Sequence, residues 1–155
     1  MIIVADSSPL IALMRVGRLE LLRDLYGAIF MPDAVWNELV IAGARRPGAD
    51  LLTQCDWIVR KPVSNRALVD AMSELLDPGE REAIVLAQEI DADALLMDES
   101  IGRAAAMHLG LKVTGLIGVL LRAKNIGLLP DAVELAQEMR NQGWWVADKL
   151  LEMLR

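Results

Sequence analysis

Four acidic residues of the 155-residue chain stand where their chemistry could be shared. Asp6 directly follows the apolar run Ile2-Ile3-Val4-Ala5, and Asp98 directly follows Ala94-Leu95-Leu96-Met97. Glu80 precedes Ala83, Ile84 and Ala87 by three, four and seven positions, a spacing that puts it on the buried face of a helix. Glu38 lies three residues past Val35 and beside Leu39. Carboxylates gathered in one crevice repel one another and lose hydration unless a cation holds them. An all-oxygen set suits Mg²⁺ or Mn²⁺, one or two ions per site, rather than zinc. Sites of this type clamp a phosphodiester and activate water. Each acid also has a plainer reading. Asp after a strand is a common turn or cap residue, Glu80 complements a helix dipole, and Glu38 alone reads as a solvated surface residue.

Whether the acids meet depends on the elements that carry them. Short apolar runs at 2–5, 28–31, 57–59, 94–97 and 112–114 read as strands buried on both faces. Between them lie amphipathic stretches. The first starts with Ser8 as cap and Pro9 as first helical residue; others carry Leu19 to Leu25, Ala34 to Val40, Arg66 to Leu76, Glu80 to Ile90 and Ser100 to Leu109. Three more helical stretches close the chain: one ending near Asn125, then 131–141 and 148–154. Gly43 to Gly48 reads as a loop, and Asp77-Pro78-Gly79 as a helix break. Strands alternating with helices predict one α/β domain over 1–155, with a parallel sheet covered on both sides. In the strand order 3-2-1-4-5, the first and fourth strands are neighbours at the switch point, and Asp6 and Asp98 converge there. Glu82 shares a more mixed ridge with Leu86 and Glu89 and is assigned to the outer face.

Acidic residues outnumber basic ones 22 to 16, and apolar residues make up 54%. Such a chain buries a core and is neither disordered nor a generic basic coat for nucleic acid. Two bound divalent ions would offset four of the negative charges and leave the site locally positive. Arg15, Arg18, Arg103, Arg122 and Lys124 fall near the expected rim, Arg103 and Lys124 being the candidate phosphate contacts. No apolar run approaches bilayer length, no basic leader precedes the first strand, and the lone Cys55 suits a reducing compartment, so a cytoplasmic protein is expected.

The motifs also carry a family resemblance. IVADSSPLIAL, PDAVWNELV, GEREAIVLAQE and ALLMDES, in this order and spacing, resemble PIN-domain nucleases. The tail TGLIGVLLRAKNIGLL, with Gly143-Trp144, is similar to a bacterial and archaeal subfamily related to VapC-type toxins. The resemblance covers nearly the whole chain and implies a three-layer α/β/α fold with a five-stranded parallel sheet. It also implies a metal-dependent endoribonuclease whose acids are Asp6, Glu38, Glu80 and Asp98, with Ser8 supporting the first acid and Glu82 a further supporting residue. RNA as substrate, a small antitoxin as partner and a homodimer follow from the same resemblance. Two departures stand out: Glu80 where Asp is usual, and Leu96-Met97 in place of a Thr-x-Asp approach to Asp98.

Competing chemistries fare worse. A haloacid-dehalogenase-type phosphatase with Asp6 as nucleophile lacks its second Asp, because Ser8 stands there. A receiver domain lacks a phosphoacceptor, since the third strand ends at Arg60-Lys61. There is no Gly-rich dinucleotide or P-loop motif. A PIN-like module that binds RNA or an antitoxin without cutting stays open beside the nuclease. His108 reads as a packing or surface residue, and Trp144-Trp145 as a packing anchor or subunit contact rather than a stacking platform.

Overall fold

The computed structural model describes residues 1–46 and 48–155. Five parallel strands, β1 (Ile3–Ala5), β2 (Ile29–Met31), β3 (Ile58–Arg60), β4 (Ala94–Leu96) and β5 (Val113–Thr114), pair in the order β3-β2-β1-β4-β5. Ala5 stands opposite Leu96, and the Asp6 N–H continues the ladder to the Leu96 carbonyl at 3.0 Å. The carboxyl ends of β1 and β4 are therefore side by side.

Alternation along the strands divides the core in two. Ile3, Ala5, Ile29, Met31 and Leu96 face one layer, made by α1 (Ser7–Arg15), α2 (Glu20–Tyr26), α7 (Leu116–Asn125), α8 (Ala132–Asn141) and α9 (Asp148–Glu152). Val4, Leu95 and Met97 face the other, built mainly on α5 (Pro78–Glu89) and α6 (Ser100–His108), with α4 (Arg66–Ala71) against α5. The fold is thus the three-layer arrangement expected.

Several local expectations are corrected. Asp6, in extended conformation, takes the cap position of α1, and the helix begins at Ser7, leaving Ser8 exposed in the first turn. Asp77 is not merely a breaker. It caps α5, accepting the Glu80 N–H at 2.8 Å, while the Glu80 carboxylate accepts the Asp77 N–H at 3.1 Å; Pro78 is the first helical residue. The helix expected over 66–76 stops at Ala71. Met72 turns extended, Ser73 Oγ accepts the Leu75 N–H, and Met72 and Leu76 are thereby directed into the core beneath α5. The stretch 34–40 begins as a short helix, α3 (Asp33–Trp36), and widens into a π-helical segment over Asn37–Ala42, after which a 3-10 turn spans Ala49–Gln54. A π-turn rotates the side chains beyond it relative to a regular helix, and Glu38 lies within that turn.

Candidate active site

The acids fall into two groups around the carboxyl ends of β1 and β4. Asp6, 3% exposed, belongs to the first. Burial pushes its carboxyl up from the ordinary 3.8 to about 7; the Ser7 N–H opposes this, and the charges of Asp77, Glu80 and Glu38 add to it. Glu80 is 6% exposed, and burial likewise raises it from 4.5 to about 7, against the Asp77 N–H and together with the charges of Asp77 and Glu99. Its Oε1 is held in the capping box. Its Oε2 has no hydrogen-bond partner, and neither has Asp6 Oδ1.

Close backbone approaches shape this group. Gly79 and Gly102 leave space that a side chain would fill. A Cβ on Gly79 would lie 3.3 Å from Glu38 Oε2, so the Glu38 carboxylate rests over the first turn of α5. A Cβ on Gly102 would lie 2.8 Å from Glu80 Oε2 and 2.5 Å from Met97 Sδ. Both glutamates thus sit by the amino end of α5, where the helix dipole favours negative charge. Glu38 is half-buried there, not the solvated surface residue its position alone suggested.

Asp98 forms the second group with donors rather than acids. Its Oδ1 accepts the N–H of Leu116, first residue of α7, at 2.9 Å. Burial raises its pKa, opposed by the Leu116 N–H, the Arg103 guanidinium and the Trp144 indole N–H. Arg103 in turn donates to the Met97 carbonyl at 2.9 Å. Asp98 therefore ties the end of β4 to α7.

Glu82 is corrected from outer face to interior. At 7% exposed, it accepts the Ala34 N–H at 3.0 Å and the Arg66 guanidinium at 2.9 Å, pinning the start of α3 to α5 and α4. Beside Asp6 the bonding group is the Ser7 backbone, whereas Ser8 faces solvent. Lys124 and Arg122 are not at this rim. α7 begins at Asp98 and runs away from it, so its last turn lies at the far end, where Lys124 Nζ donates to the Leu154 carbonyl and Arg122 stacks on Tyr26. A depression of about 870 Å³ at that end, lined by Asp93, Lys112 and Arg122 among others, contains none of the acids of either group. His108 is exposed.

The residues missed by sequence reasoning are Asp77 and Glu99. Glu99 caps α6 through the Gly102 N–H at 3.0 Å, and its charge acts on Glu80. The D-P-G-E string carried the capping-box signal for Asp77; nothing so specific marked Glu99.

The PIN-domain family model matches residues 2–155, the span that supplies both groups of acids. The chain belongs to the PIN-domain family. Searches among curated proteins and among solved structures give no match. PIN domains are in general nucleases and typically use divalent metals, so the carboxyl end of this sheet is the place to look for both. Two buried, unpartnered carboxylate oxygens fit such a cation, since an anion stripped of water and left without a donor is otherwise costly. Among the described residues no three His, Cys, Asp or Glu side chains form a closed metal cluster. No helix of the described residues is long and apolar enough to cross a membrane.

Proposed function

We propose that this PIN domain is a divalent-cation-dependent endoribonuclease whose cation is held by Asp6 and Glu80. The observation that carries the reading is the pair of orphaned oxygens, Asp6 Oδ1 and Glu80 Oε2, both buried at the strand ends. Mg²⁺ or Mn²⁺ bound there, one ion or two, supplies charge to the phosphate and lowers the pKa of water. Glu38, half-buried over the first turn of α5, orients the attacking water and accepts its proton. Asp98 holds α7 and Arg103 in place at the rim, and Arg103 offers its remaining N–H groups to the RNA backbone. Ser8 follows Asp6 by two residues and lines a depression with Arg15 and Trp145, and Glu82 acts by fixing α3, which leads into the turn carrying Glu38.

The family match over residues 2–155 supports one domain, and the VapC-like tail supports a cytoplasmic toxin paired with a small antitoxin and working as a homodimer. The test is cleavage of a mixed RNA pool with Mg²⁺ or Mn²⁺ by the parent chain and by Asp6→Asn. Loss of cleavage in the variant is expected; equal cleavage rejects the assignment. The open arrangement of the acids favours one rival, a module that binds RNA or antitoxin without cutting. It requires strand binding that persists in chelator, with no cleavage under any cation.

A further inference from the structure

Residues 143–147 cross the carboxyl side of the sheet as a strap between α8 and α9, and three contacts fix it. Arg15 donates to the Gln142 carbonyl at 3.2 Å, just before the strap. Arg140 donates to the Val146 carbonyl at 2.8 Å near its end. Between them Trp144 packs against the main core and lines one depression with Asp98. Gly143 makes the turn at φ +102°, and the Arg15 guanidinium lies 3.3 Å from where its Cβ would stand, so a larger residue would be strained and crowded.

This strap holds Trp145 outward. Its side chain is 82% exposed, in a chain whose other three tryptophans are each at least partly buried. Two depressions meet at it. One, about 470 Å³, contains Asp98, Arg103, Gly115 and Met153; the other, about 270 Å³, contains Ser8, Ile11 and Arg15. A third, about 450 Å³, adds Arg140. Arg15 and Arg103 therefore line depressions on two sides of one water-exposed indole, and Asp98, two residues past β4, lies in the one that holds Arg103.

We propose that Trp145 is a stacking platform for a nucleobase of a single strand whose phosphates lie along Arg15 and Arg103. The inference rests on the nuclease reading of the neighbouring acids and adds a binding residue outside them. An aromatic ring amid cationic side chains is how single strands are gripped without sequence preference. Arg15 and Arg103 each spend a donor on a backbone carbonyl and keep others free for phosphate, whereas Arg140 is paired with Asp148 at 3.0 Å. A second copy of the chain is the weaker occupant. One indole contributes roughly 150–250 Å², against about 800 Å² per partner in a standard interface, and guanidinium groups around the ring favour an anionic partner.

The test uses the full chain carrying Asp6→Asn, so that the strand stays intact, with Mg²⁺ present. Binding of a short fluorescein-labelled oligoadenylate and of its abasic counterpart is measured by anisotropy, with and without Trp145→Ala. The substitution is expected to weaken the base-bearing strand about 5- to 100-fold, to leave the abasic strand nearly unchanged, and to be largely rescued by Trp145→Phe. Equal binding by both variants, or equal weakening on both strands, overturns the platform. So does a change from dimer to monomer on gel filtration with oligoadenylate affinity unchanged, which assigns Trp145 to a subunit contact. If the unsubstituted chain cleaves no RNA with Mg²⁺ or Mn²⁺, the nuclease reading itself fails; if it cleaves, and Asp6→Asn binds neither strand or Trp145→Ala is silent, only the platform does.

Discussion

Asp6→Asn bears most directly on why the acids are buried together. In the folded protein the Asp6 carboxyl titrates at about 7 against an ordinary 3.8. Folding therefore favours the protonated form. The stability this group contributes is complete below about pH 3.8 and is lost as pH climbs towards 7, because the unfolded chain releases the proton first. About three pH units at ~1.4 kcal/mol each give at most ~4 kcal/mol of destabilisation above pH 7 without metal. Relaxation and entry of water lower this, so a difference of about 2–4 kcal/mol is expected between the variant and the parent at pH 8. That corresponds to roughly 5–15 °C in Tm for a chain of this size. Asn cannot ionise. The variant should be more stable than the parent in chelator at pH 8, and the gap should close as pH falls towards 4. Excess Mn²⁺ should reverse the order, since a cation that binds only the folded parent stabilises it by mass action. Thermal unfolding from pH 4 to pH 8, with EDTA and then with Mn²⁺, reads all three effects. Parallel pH profiles for the two proteins, or equal stabilisation of both by Mn²⁺, would refute the reasoning.

Two further perturbations separate the site from its scaffold. Gly102→Ala places a Cβ within 3 Å of Glu80 Oε2 and Met97 Sδ, both movable side-chain ends, so Mn²⁺ affinity measured by calorimetry should fall about tenfold or more while unfolding changes by only ~1–2 kcal/mol. Glu82→Ala leaves the Ala34 N–H and the Arg66 guanidinium without their acceptor, and urea unfolding should show a loss of about 1–3 kcal/mol, with weaker RNA cleavage because α3 no longer holds its neighbour Glu38 in place.

The sequence by itself determined the sheet. Each short apolar run can satisfy its backbone only between neighbours, and its side chains only between two layers of helix, so alternation with amphipathic stretches leaves little choice of class. Asp6 and Asp98 were legible because the residue that ends a buried parallel strand must emerge at the same edge as its neighbour's. Glu80 was legible from helical spacing and the cap string before it. Tertiary structure alone decided which acids keep company. Helical spacing put Glu82 outside, yet α3 and α4 cover that ridge and bury it under Ala34 and Arg66. Asp98 was expected beside Asp6, and what the sequence did not show is that α7 starts next to it, so that one of its oxygens accepts the Leu116 N–H. Lys124 looked near the rim until the direction of α7 carried it to the opposite end. In each case the missing information was a long-range contact. Local pattern fixes which way a side chain leaves its own element, but the charge, donor or solvent that it meets comes from residues distant in the chain.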